Sequence, residues 1–200
     1  MNSEFAAMAR PRPPAPLIAP LLAATQALAT SGALGVWLGR DAQAAYLGAP
    51  AMAHEDLKIA VLPAAAGHEA ASDDAPNLPD ITGIDWQRAW PPHHRRWLAR
   101  LATGVGAQDV WTQVHDDTPQ RTLWIPGPAE LATLEILEAD EQTGPRVAAL
   151  LGGIDGDIAG FVNVADGLLG ALAADWAAGM VAELQWQTMM QRYRDGSEAH

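Results

Sequence analysis

The stretch from Phe161 to Arg194, FVNVADGLLGALAADWAAGMVAELQWQTMMQRYR, constrains the fold of this chain more than any other. From Val164 to Leu184 it holds no proline, and its only charges are Asp166, Asp175 and Glu183. Leu168, Leu172, Trp176, Met180 and Leu184 recur at every fourth position, the period of a helix and not of a strand. Gly170, Ala174, Ala178 and Ala182 form a second row, made of small residues, along which another backbone can come close. A helix apolar around most of its girth is normally buried. The expectation is a central core helix with Leu172 and Trp176 inside, divided in two near Gly167 and Gly170. A bilayer span is disfavoured, because Asp175 would lie deep in it at a cost of about 2.5–3.5 kcal/mol.

The size of the core limits the rest. Hydrophobic residues make up 49% of the 200 positions, but Ala supplies 41 of those 98 and leaves 57 larger side chains. That is enough for one core and too little for two large ones. Eight Trp stand against two Phe and two Tyr. Trp combines a large apolar area with an N–H that needs a partner, which suits core edges and binding surfaces.

Charge and cysteine content exclude several functions. With no Cys there is no disulfide, thiolate metal site or Cys nucleophile. A net charge of -12 argues against a nucleic-acid backbone or an anionic membrane as partner, since both demand a positive surface. Between Arg100 and Arg192 there are 13 acidic residues and two basic ones, Arg121 and Arg146. This acidic half serves solubility, or offers a surface to a basic protein.

The N-terminal third reads as an extension. Pro11, Pro13, Pro14 and Pro16 favour an extended lead-in. Leu17 to Thr30 is apolar with Gly32 as a stop, and reads as a packed helix in preference to a signal peptide. The expected compartment is the cytoplasm. Ala33–Leu38 is a strand or a helical turn, Asp41 caps a short helix that ends at Gly48, and Leu57–Leu62 is a strand. Ala64 to Asp80 is rich in Ala, Asp and Pro without period, and reads as a linker. The expected organisation is an N-terminal extension at 1–63, a linker at 64–84 and an α+β domain at 85–200.

Within that domain, Asp85 to Trp90 is a short turn or helix. Pro91-Pro92 opens a helix that stops at Gly104, with Trp97, Leu98 and Leu101 on its apolar side. Val110–His115 and Arg121–Pro126 read as a β-hairpin. Ala129–Glu141 reads as a helix, with a strand pair at 133–138 and 146–151 as the rival. The fold expected is α+β: one compact domain in which the hairpin packs on a long buried C-terminal helical region, preceded by a helical N-terminal extension.

No reactive constellation emerges. The four serines lie outside any G-x-S-x-G elbow, and the sole lysine, Lys58, belongs to no P-loop. Asp155-Gly156-Asp157 lacks the third ligand of a calcium loop and reads as helix capping. His93, His94 and His115 with Asp117 have the right chemistry for zinc or iron, but adjacent histidines on a helix point about 100° apart, and no His-x-x-x-His pair exists. Arg88, His93, Arg95, Arg96 and Arg100 form the one basic cluster, close to Trp86 and Trp90, and it either pairs with the 13 acidic residues downstream, the simpler explanation, or holds an anion or reads a partner's carboxylates. Arg and Trp are the residues most enriched in binding hot spots. The functional expectation is a non-catalytic protein-interaction module, such as an adaptor, assembly factor or dedicated chaperone. Its contact would be built from Trp86, Arg88, Trp90, Arg95, Arg96 and Arg100. It would need no cofactor and would bind protein, neither nucleic acid nor membrane, with self-association open. The alternative is a metal-dependent hydrolase or oxygenase using His93, His115 and Asp117.

Overall fold

Glycine and proline set the ends of the first elements. Helix α1 spans Ala15–Ser31, and Pro16 falls in its first turn, where a missing N–H costs nothing. Gly32 ends it in the left-handed region at φ 64, and its N–H donates back to the carbonyls of Ala29 and Leu28. Strand β1 follows at Ala33–Leu38, and then α2 at Arg40–Leu47, ended by Gly48. Asp41 does not cap α2: Gly39 holds the N-cap, while Asp41 lies buried inside the first turn. The computed structural model describes residues 10–49, 56–63, 77–88, 92–114, 120–137, 143–151 and 158–197.

The remaining elements are β2 (Leu57–Pro63), β3 (Ile84–Gln87), α3 (Pro92–Leu101), β4 (Ala107–Asp109), α4 (Trp111–Val114) and β5 (Leu123–Pro126), then α5 (Pro128–Leu137), α6 (Thr143–Leu150), α7 (Ile158–Leu169) and α8 (Ala171–Ser197). The α+β class expected from the sequence is the one the chain adopts, with a helical start and a mixed five-stranded sheet in the order β3-β2-β1-β5-β4. Among the described residues, no helix is long and apolar enough to cross a membrane. The chain clusters into two units, residues 1–127 with the sheet and residues 128–200 with the last four helices.

Strands β1 and β2, from the stretch read as an extension, form the centre of the sheet and pair antiparallel, with Trp37 opposite Ile59. Both are buried on both faces, so their sequences read as continuous apolar runs instead of alternating ones. Helix α1 covers the face that carries Gly35, where a Cβ would lie 2.6 Å from Leu28 Cδ1. Trp124 follows Leu123, the partner of Gly35, and so points to the other face. There it lies against Gly104, just past α3. Leu28, Val36, Trp37, Ile59, Leu123 and Ile125 are fully buried between these layers, and each such side chain contributes about 1.5–3 kcal/mol.

Two local expectations are corrected, and a third falls mostly outside the described residues. Asp85–Gln87 is strand and not helix, because Ile84–Gln87 finds a parallel partner in β2. The hairpin exists, but its first strand is Ala107–Asp109, and Trp111–Val114 is helical. Residues 64–76, most of the expected linker, lie outside the described residues, and the strands on either side of it, β2 and β3, are neighbours in one sheet.

In the second unit, α5 is helix, as favoured over the strand rival, and α6 is helix as well. Arg146 of α6 pairs with the buried Glu135 of α5. Gly170, at φ 87, separates α7 from α8, as its position in the sequence suggests. Of the two residues expected in the core, Trp176 is not there, and the side chain of Leu172 lies outside the described residues. Phe161 and Ala165 of α7 and Ala177 and Val181 of α8 are buried, whereas Trp176 is 45% exposed. Where most positions are Ala, sequence does not distinguish one helix face from another, and the neighbouring helices choose.

Candidate functional site

Strand β3 is an edge strand: in the described sheet it pairs with β2 alone. The pairing puts Lys58 opposite Asp85 and Ile59 opposite Trp86. Residues 77–80 return alongside the strand, held where the Trp86 indole N–H donates to the Pro79 carbonyl at 3.0 Å. Leu78 and Ile84 are buried beneath this contact, and Trp86 itself is half-buried. Gln87 Nε2 donates to Asp85 Oδ2, which steadies that carboxylate.

A shallow, open cleft of about 390 Å³ is lined by Asp56, Leu78, Pro79, Asp80, Ile84, Asp85, Trp86 and Arg88. Among the described residues the lining contains three carboxylates and one guanidinium, groups that bind and orient. A half-buried indole flanked by carboxylates suits a cation, which gains both from the ring face and from the negative charge. The edge of β3 adds main-chain donors and acceptors that an extended segment can pair with.

The structure divides the arginine and tryptophan residues singled out in the sequence. Trp86 and Arg88 meet in the cleft. Arg95, Arg96 and Arg100 lie on α3, where Arg96 and Arg100 are exposed one turn apart, and they do not line the cleft. Beneath them Trp97, Leu98 and Leu101 are buried, as their spacing predicts. Trp90, His115 and Asp117, and the side chain of His93, lie outside the described residues. Among the described residues no group of three or more His, Asp or Glu is placed to hold a metal ion.

Sequence reasoning missed Asp56, Asp80 and Asp85 as one group. Asp80 reads as the end of a linker and Asp85 as the start of a turn, and only the β2–β3 register brings them beside Asp56. It also missed Asp109, at the end of β4. Its Oδ1 accepts the Trp111 N–H at 3.4 Å, while Oδ2 is buried without a hydrogen-bond partner. Burial raises the Asp109 pKa above its ordinary value, and the backbone N–H bonds and the Arg121 charge only partly oppose this. Comparison with known proteins adds no further guide: the chain matches no protein family, no curated protein and no solved structure.

Proposed function

We propose that this protein is a non-catalytic interaction module that captures an extended, basic segment of another protein along β3. The observation that carries the reading is the cleft at this edge, where Trp86 stands among Asp56, Asp80 and Asp85, together with Arg88. A lysine or arginine of the partner would lie over the indole between the carboxylates, and the partner's backbone would continue the sheet. Arg88 would then select register, by rejecting a second cation or accepting a carboxylate at the next position but one. The overall charge of -12 supports the same choice of partner, because it accelerates encounter with a basic chain. The exposed Arg96 and Arg100 offer a separate contact for acidic groups of the same partner.

The test is selection from a displayed library of short random peptides on the full chain, repeated on Trp86→Ala and on Asp80→Asn/Asp85→Asn. The expected result is enrichment of peptides with Lys or Arg between alternating apolar residues, with binding lost on both variants and weakened by salt. Enrichment of acidic peptides, or binding indifferent to both variants, would overturn the reading.

A further inference from the structure

Strand β4 ends on a buried carboxylate that the cleft does not use. Asp109 stands directly opposite Trp124 of β5. The Val110 N–H donates to the Leu123 carbonyl, and the Gly127 N–H to the Gly106 carbonyl. Residues 110 and 123, and 106 and 127, are therefore hydrogen-bonded pairs of the ladder. Asp109 and Trp124 fall at the alternate position, where facing side chains come closest. Each buries a polar atom without a hydrogen-bond partner: Asp109 Oδ2, an acceptor, and Trp124 Nε1, a donor.

The carboxylate is tied and the indole is not. The main-chain N–H groups of Trp111, Thr112 and Arg121 all donate to Asp109. Arg121 does so from a φ of 51, the one positive value outside glycine among the described residues. Trp124 instead rests on Gly104, where a Cβ would stand 3.0 Å from its Cζ3 and 3.1 Å from its Cη2. These atoms belong to the six-membered ring, on the far side of the indole from Nε1. Gly104 closes the last turn of α3, and its N–H donates to the Leu101 carbonyl at 2.9 Å. An indole is rigid, so drawing Nε1 to Oδ2 shifts the edge that meets Gly104. Of the elements around the pair, α1, α4, β1 and β5 carry no ionisable side chain. Arg121 leads into β5, and α3 brings His94 and Arg95, both half-buried, with Arg96 and Arg100 exposed.

We propose that Asp109 and Trp124 form a proton-operated latch on the end of α3. With Asp109 charged, Oδ2 accepts the indole N–H and the ring draws off Gly104; with the carboxyl protonated, the ring rests on Gly104. The reason is that a buried charged oxygen without a donor is costly, whereas a neutral carboxyl tolerates that lack far better. Burial also pushes the Asp109 pKa up, which moves the exchange above the ordinary carboxylate range. The latch lies apart from the β3 cleft, and the inference does not depend on it.

The test is NMR of the full chain with nitrogen-labelled indoles, followed across the pH range in which the native fold persists. The Trp124 signal is assigned through its contact with the Gly104 α-protons. In wild type its N–H proton should move downfield as pH rises, with a midpoint above 3.8, while the contact with Gly104 weakens. The isosteric Asp109→Asn should abolish both changes, and His94→Gln should leave them in place. Trp124→Phe removes the donor, so the Asp109 carboxyl midpoint, read by carbon labelling, should rise by about one pH unit, as expected for a lost hydrogen bond to a charged group. Wild type and Asp109→Asn keep the test decisive where Trp124→Phe fails to fold. A Trp124 signal that stays flat, a titration that survives Asp109→Asn or follows His94, or a midpoint that Trp124→Phe leaves in place or lowers would overturn the inference.

Discussion

Replacing Gly35 by Ala tests the central packing contact of the sheet. The added Cβ would stand 2.6 Å from Leu28 Cδ1, and 3.0 Å from both Ile59 Cγ2 and Leu123 Cδ1. All three neighbours are essentially fully buried, so none can swing into solvent. Overpacking of this kind costs about 1–3 kcal/mol. Against it stands a gain of about 0.4–1 kcal/mol from restricting the unfolded chain. The net expectation is a loss of about 1–2 kcal/mol, which is a large share of the stability of an ordinary domain. Urea unfolding followed by indole fluorescence reads it, since Trp37 is fully buried two residues away on the same strand. Leu28→Ala alone should cost about 2–5 kcal/mol. The double variant should cost less than the sum by at least about 1 kcal/mol, because removing Leu28 Cδ1 makes room for the new methyl. A Gly35→Ala protein as stable as wild type, or a strictly additive double variant, would refute the close approach of α1 to β1.

Trp176→Ala should lower stability by less than about 1 kcal/mol, well below the 3–5 kcal/mol of an emptied aromatic core site, because the side chain is 45% exposed; a larger loss in urea unfolding would restore it to the core. Asp109 makes stability depend on pH in a direction opposite to most carboxylates. Its folded pKa lies above the ordinary 3.8, so its favourable contribution is complete below that value and is lost as pH rises through the folded one. Asp109→Asn removes this titration, and the stability of the variant relative to wild type should therefore improve from about pH 4 toward neutrality; a difference that stays flat, or moves the other way, would show that the carboxylate is not penalised by burial.

The edges of elements were legible because local chemistry decides them. Gly32, Gly48, Gly104 and Gly170 all adopt positive φ next to helix ends, as glycine alone does without strain. The apolar side of α3 was legible too, since Arg95, Arg96 and Arg100 leave Trp97, Leu98 and Leu101 a single orientation. The helical content of the C-terminal stretch was plain from its period and lack of proline.

The candidate site was half legible. Trp86 and Arg88 stood out by residue type, and they do meet. Their acidic neighbours did not stand out, because Asp56 and Asp80 are separated by 23 residues without period and join only when β3 pairs with β2. Strand β3 itself was invisible: four residues carry too little pattern, and the hydrogen bonds that make them a strand are supplied by a distant partner.

What the sequence by itself determined is where several helices stop at a glycine, and that the chain is acidic, cysteine-free and limited to a modest core. These follow from single residues and their immediate neighbours. Tertiary structure alone decided which face of α8 is packed, that β1 and β2 form the middle of a sheet and not an appendage, and that three aspartates surround Trp86. Each of these depends on a partner far away in the chain. An alanine-rich helix is nearly indifferent to which side it buries, and a strand exists only where another strand completes its hydrogen bonds.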